Sequence, residues 1–180
     1  LHIHGFLFNF NFSLMSVEGK FLSKEISDLF WREELTLATA ESCTAGNIAA
    51  TITAIPGSSR FYKGGIVAYS NELKVNLLGV NPKTLDEMGA VCEATVIEMV
   101  KGAMKSMNSD CAVATSGIAG PTGGTSDKPV GTIWIAAGTK DKMITLKLEG
   151  DEGRQKNIAN ATQKALQLLQ KLFQNQENEQ

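Results

Sequence analysis

The sequence predicts a three-layer α/β/α sandwich built on a mixed, mainly parallel sheet. Two features carry that expectation. Short apolar runs alternate with stretches of helical periodicity, and one late hairpin joins two neighbouring apolar runs. With 180 residues, 43% of them hydrophobic and 20% charged, the chain can close one full core and falls short of two ordinary domains. Neither an internal repeat nor an interior linker is visible, so residues 15–173 are read as a single domain.

The elements follow in order. Residues 17–34 place Phe21, Ile26, Leu29 and Phe30 at helical spacing among charges, the pattern of an amphipathic helix. "LTLATA" (35–40) is a buried strand, and helix character resumes near Cys43 and stops at Pro56-Gly57. "GGIVAYS" (64–70) is a second strand, with a helical turn "NELKVNLL" and Gly79 as its C-cap behind it. A short helix starts at Pro82, and a longer one covers 92–107. "DCAVATSG" (110–117) is a third strand that enters a glycine-rich loop. "VGTIWIAAG" (130–138) and "KMITLKLEG" (142–150) form the hairpin, and residues 154–173 form the final amphipathic helix.

The stretch "LHIHGFLFNFNFSL" (1–14) lacks the basic start and cleavage site of a signal peptide and is read as a leader upstream of Met15. Residues 174–180 are a polar tail. A net charge of −2 argues against direct nucleic-acid binding, which needs an excess of Lys and Arg, and no membrane span is expected. Cys43, Cys92 and Cys111 are odd in number and far apart, which indicates no disulfide framework or zinc site and a reduced, cytoplasmic setting.

The only histidines, His2 and His4, fall in the excluded leader. A Ser-His-Asp triad, a Cys-His pair and a histidine-bound metal are thereby out of reach, and a general base must be Lys, Tyr, Asp, Glu or a second hydroxyl. In α/β sheets ligands gather beyond the carboxyl ends of parallel strands. Three polar corners follow three predicted strands: Glu41-Ser42-Cys43-Thr44, Tyr69-Ser70-Asn71 and Thr115-Ser116-Gly117. If the strands are parallel, the corners share one edge.

Ser42 at a helix start would sit beside free N–H groups able to bind an anion; a simple helix cap is the plainer alternative. Cys43 is a rival nucleophile, or a buried packing residue. Lys74, four residues past Ser70, is the first candidate base, and Lys63 the second. A free lysine titrates near pH ~10.4, and base chemistry at neutral pH needs about 7–8, which partial burial and a positive helix end can supply. Tyr69 can relay a proton or stack on a ring. Gly117, Gly120, Gly123 and Gly124 around Pro121 give a backbone able to close on phosphate or carboxylate oxygens, although the loop is neither a Walker A motif nor a dinucleotide fingerprint. Arg154 is a candidate bidentate phosphate partner.

"AESCTAG", "GGIVAYSNELKVNLLGV", "ATSGIAGPTGG" and "KPVGTIWIA", in this order, closely resemble the C-terminal domain of the competence/damage-inducible protein CinA, over about residues 17–173. Stand-alone members of that family are nicotinamide mononucleotide deamidases of the PncC type. The resemblance implies hydrolysis of the nicotinamide carboxamide to nicotinate mononucleotide and ammonia, without metal or other cofactor, by a protein that assembles as a homodimer or higher homo-oligomer. It implies Ser42 as nucleophile, Lys74 as its partner and Tyr69 as the active-site tyrosine. It also makes the 115–124 loop, with Thr115, Ser116 and its glycines, the segment that closes on a mononucleotide. In the attack this implies, the N–H groups of Cys43 and Thr44, beside Gly46, would steady the oxyanion.

Larger family members carry a further N-terminal domain to which nothing here corresponds, so its activity is not expected. Three departures stand out. Ala45 occupies one of the two usual glycines of "SCTGG", the one before Gly46, Thr122 the usual acid of "GPDGG", and "GDEGR" sets Arg154 behind a two-residue insertion. A catalytically silent nucleotide-binding or adaptor module in competence or DNA-damage response is the alternative, and a Mg²⁺-dependent phosphohydrolase a third reading.

Overall fold

The computed structural model describes residues 17–174. The proposed leader (1–14) with His2 and His4, the Met15 that follows it, and residues 175–180 of the proposed tail lie outside the described residues.

Helix α1 (Val17–Arg32) buries Leu22, Ile26 and Phe30, spaced four apart so that they stack along one side. Full burial of each such side chain is worth about 1.5–3 kcal/mol. Phe21, assigned from its spacing to that face, is instead 65% exposed; Leu22 takes the place in line. Strand β1 (Leu37–Glu41) is buried at every position. Helix α2 (Asn47–Thr53) starts four residues later than expected, because residues 42–46 form a turn. Strand β2 (Tyr62–Val67) alternates between half-buried and exposed residues, as befits a sheet edge. It ends at Val67, so Tyr69 lies past the strand rather than in it.

Helix α3 (Asn71–Leu78) is framed by a Ser70 cap, whose hydroxyl accepts from the Leu73 N–H, and by left-handed Gly79. Helix α4 (Pro82–Met88) starts with proline behind an Asn81 cap, and α5 (Glu93–Met107) starts behind a Cys92 cap. Strands β3 (Cys111–Gly117), β4 (Ile133–Thr139) and β5 (Met143–Leu148) precede α6 (Arg154–Gln174).

The sheet order is β2-β1-β3-β4-β5. β1 is parallel to both β2 and β3, while β4 runs antiparallel to β3 and to β5, so β4 alone points the other way. Alternation along the strands sends Leu37, Val113 and Ile135 toward α1, α2 and α6. It sends Ala38, Ala40, Ala112, Ala114 and Ala136 toward the α3 and α5 side. Alanines on that second face let α5 lie close. Gly102 of α5 extends the effect to α3, since a Cβ there would sit 1.8 Å from the Leu78 carbonyl oxygen. The mixed α/β sandwich is the architecture expected from the sequence.

Register brings the strand ends level. Glu41 pairs with Val67 on one side and with Thr115 on the other. Gly117 pairs with Ile133, which pairs with Leu148. The turn after β1, the corner after β2, the glycine loop after β3 and the approach to α6 therefore all open at one edge of the sheet.

Candidate active site

Strand alternation separates two neighbouring polar side chains at this edge. Glu41 follows Leu37 and Thr39 toward α2; Ser42 follows Ala38 and Ala40 toward α3. The Ser42 N–H donates to the Thr115 carbonyl at 3.0 Å, carrying the β1–β3 ladder one residue past the strand. On the α3 side, Lys74 Nζ lies 3.0 Å from Ser42 Oγ and donates to the Ala68 carbonyl at 2.9 Å. Lys74 is 1% exposed and Ser42 8%. Burial lowers the Lys74 pKa from its ordinary value of 10.5, with the neighbouring Cys43 thiol working weakly against that. Once unprotonated, the amine keeps one N–H on Ala68 and turns its lone pair to the serine, whose hydroxyl then donates into it. A hydroxyl within hydrogen-bond reach of a desolvated amine is a geometry able to support nucleophile activation.

The other lysine named from the sequence is elsewhere. Lys63 is exposed near the start of β2, at the opposite edge, where its charge acts on Asp110. Cys43 also drops out as a rival, because burial pushes its thiol up to about 12 and leaves it protonated at neutral pH. All three cysteines are buried and free.

The expected anion site at the start of α2 is occupied from within. The Glu41 carboxylate accepts from Gly46 N–H at 3.0 Å, Ile48 N–H at 3.1 Å, Ala49 N–H at 2.8 Å and Thr44 Oγ1–H at 2.6 Å. The first-turn amides that could have met a substrate are thus taken; those of Cys43 and Thr44 are not among them. Thr44 and Thr115 are fully buried and touch each other through their hydroxyls at 2.7 Å, behind the turn rather than in front of it. Ser116 alternates onto the Ser42 side.

Tyr69 is 57% exposed and its hydroxyl accepts from Arg154 Nη2 at 3.0 Å. Arg154 Nη1 donates to the Gly120 carbonyl at 2.8 Å, so one guanidinium ties the corner after β2 to the glycine loop. Gly120 has φ +87 and precedes a cis peptide to Pro121. Gly123 and Gly124 stand exposed in the outer loop, and Gly117 closes β3.

Two residues escaped the sequence reading. Glu41 was seen as part of a polar corner but not as the group that holds it. Asn157, buried on α6, donates to the Ala119 carbonyl at 3.0 Å and to Asp151 at 2.9 Å, and accepts from Glu152 N–H at 3.0 Å. It pins the glycine loop to the approach of α6. Its signal was legible: a lone amide on the apolar stripe that continues through Ala161, Ala165 and Leu169. Among the described residues no cluster of three or more His, Cys, Asp or Glu could hold a metal, and no helix is long and apolar enough to cross a membrane.

The model of the CinA C-terminal domain matches residues 19–173. A "CinA-like protein" of Shewanella pealeana is 55% identical over 128 residues, 71% of this chain and 30% of that protein. A protein of Shewanella oneidensis named "Nicotinamide-nucleotide amidohydrolase PncC" is 56% identical over 124 residues, 69% of this chain and 29% of its own length. The chain thus spans roughly a third of these curated relatives. Among solved structures, the competence/damage-inducible protein CihA of Agrobacterium tumefaciens superposes with a TM-score of 0.85 at 37% identity, covering 88% of this chain and 99% of that one.

Proposed function

Because the chain belongs to the CinA C-terminal domain family, we propose that it is a nicotinamide-nucleotide amidase acting through Ser42 and Lys74. The observation that carries this reading is the buried 3.0 Å contact between Lys74 Nζ and Ser42 Oγ. The relative bearing the amidohydrolase name supports the choice of substrate.

In the proposed reaction, Ser42 Oγ attacks the carboxamide carbon of nicotinamide mononucleotide while Lys74 takes its proton. The amides of Cys43 and Thr44 are the donors offered to the tetrahedral oxyanion, an effect worth roughly 3–4 kcal/mol per key donor. Lys74 returns the proton to the leaving nitrogen and ammonia departs, leaving an ester on Ser42. Water, deprotonated by the same amine, cleaves that ester to nicotinate mononucleotide and restores the serine. One water is consumed and one ammonia released. Arg154 and Tyr69 stand at the rim, suited to the charged phosphate end of the substrate.

The direct test is ammonia release from nicotinamide mononucleotide by wild type, Ser42→Ala and Lys74→Met. Turnover by wild type with loss in both variants supports the reading; unchanged turnover in both removes the dyad. The alternative, a silent nucleotide-binding or adaptor module, draws on the name of a relative from Halothermothrix orenii, "Putative competence-damage inducible protein". Tight binding of the mononucleotide by folded wild type without any ammonia would favour it.

A further inference from the structure

We infer that Glu41, acting through Thr44 and Thr115, is a positioning residue that sets the turn from which Ser42 projects; the kinetic part of this inference rests on the amidase reading. Glu41 is 1% exposed, and its four hydrogen-bond partners are all neutral donors. Burying a carboxylate is costly unless every lone pair finds a donor. Capping a seven-residue helix does not require it, because a local Ser, Thr, Asp or Asn at the cap position would serve. Here the cap position is Gly46, without a side chain, and the carboxylate reaches forward from the end of β1. The chain between must bow: Ala45 has φ +49 and Gly46 φ +93, two left-handed residues in succession.

The direction of each proton follows from counting. Thr44 has one hydroxyl proton, and Glu41 Oε2 takes it at 2.6 Å. The 2.7 Å contact between Thr44 and Thr115 must therefore have Thr115 as donor. Thr115 accepts the Ser42 N–H on its own carbonyl. Ser42 and Thr44 are thus both fastened to one residue of β3, and that fastening ends on Glu41. What remains free at Ser42 is its side-chain torsion, which Lys74 settles. Neither threonine hydroxyl has a proton left for a substrate, and both residues are 0% exposed. Their removal should therefore disturb the reacting geometry and leave ligand contacts alone. A misplacement of about 1 Å costs on the order of 10²-fold in rate.

The test compares Thr44→Val, Thr44→Ser and Glu41→Gln in the full chain. Three measurements are made: thermal midpoint, kcat and KM on nicotinamide mononucleotide, and hydrogen exchange of the amides from Ser42 to Ala49. Thr44→Val keeps the shape and loses the hydroxyl; Glu41→Gln sets an amide N–H against one of the present donors. The expected result for folded Thr44→Val and Glu41→Gln is a kcat about 10- to 100-fold down, a KM within about 2-fold and faster exchange at Ser42 and Gly46. Thr44→Ser should recover most of the rate, which a merely structural loss would not show.

A wild-type kcat in folded Thr44→Val overturns the inference whatever the exchange rates, and so does failure of Thr44→Ser to recover. If Glu41→Gln does not fold, the Thr44 pair decides. If wild type releases no ammonia, the amidase reading falls and exchange alone judges the positioning role. Faster exchange in Thr44→Val but not in Thr44→Ser supports it, and unchanged protection overturns it.

Discussion

At the sheet edge where β1, β2 and β3 end, Lys74 is buried against a serine hydroxyl and a carbonyl. At the edge where they begin, Lys63 stands in solvent near Asp110, whose carboxyl accepts from the Thr36 hydroxyl and N–H and lies below its ordinary range for that reason. The second edge also has a concavity of about 900 Å³, lined by Lys101, Lys105, Asp110 and Lys140 among others. Volume and charged residues are therefore abundant where no nucleophile meets a base. The first edge holds an amine buried away from water, and desolvation is what changes its chemistry. The size of a hollow is a weaker guide to chemistry here than the company a buried group keeps.

The sharpest way to break this contrast is to exchange the lysines' fates. Lys74→Met and Ser42→Ala should each cut ammonia release by at least about 10³-fold in protein that retains its circular dichroism. Lys74 also gives the contrast a pH axis. Its pKa is lowered by burial, so the base form is reached below 10.5 and the rate should climb with pH through that ionisation and then level. Stability follows the same sign. Between the folded pKa and 10.5 the unfolded chain binds more protons than the native one, so unfolding free energy rises with pH across that window. Lys74→Met should lack this rise. A denaturant series against pH would reveal a slope that persists in the variant, which would remove the buried amine from the account.

Arg154→Ala comes next. It frees Tyr69 and the glycine loop together and should raise KM about 10-fold, more than it lowers kcat, in steady-state assays on the mononucleotide. Gly102→Ala attacks the frame behind Lys74. The new methyl meets the Leu78 carbonyl, so α3 must move, with a loss of about 1–3 kcal/mol by chemical denaturation. Ala45→Gly should act in the opposite direction and gain about 1 kcal/mol, since a left-handed backbone suits glycine and not alanine. Smallest of all, Lys63→Met should leave turnover within about 2-fold and stability within about 0.5 kcal/mol.

Much of this was open to reading. Alternating periodicities announced the layers, and the convergence of three polar corners required only that their strands be parallel. The absence of histidine after His4 steered the base toward lysine. What stayed hidden depended on direction and on the third dimension. Periodicity placed Phe21 on a buried face one residue away from the correct one, because adjacent residues on a helix differ by about 100°. Helical character near Cys43 was real but displaced: small residues from 43 to 50 fit a helix, and only the Glu41 carboxylate reveals why it waits until Asn47. No linear pattern could say which of two lysines would be enclosed, since that depends on α3 resting against α5 at Gly102. Ala45 is legible in the sequence as a replaced glycine, whereas the cost of the replacement lies in the backbone angle it must adopt, φ +49.

The opposite headings of Glu41 and Ser42 have a bearing on how this gene can vary. Side chains on a strand obey an odd-even rule, so point changes between Leu37 and Ser42 alter size or polarity while leaving every neighbour pointing as before. Gain or loss of a single codon in that span would instead trade the two, delivering a hydroxyl to the helix cap and an acid to the amine. Homologous chains should therefore show substitutions there and no length variation, with insertions collecting in the outer glycine loop, where no such parity applies.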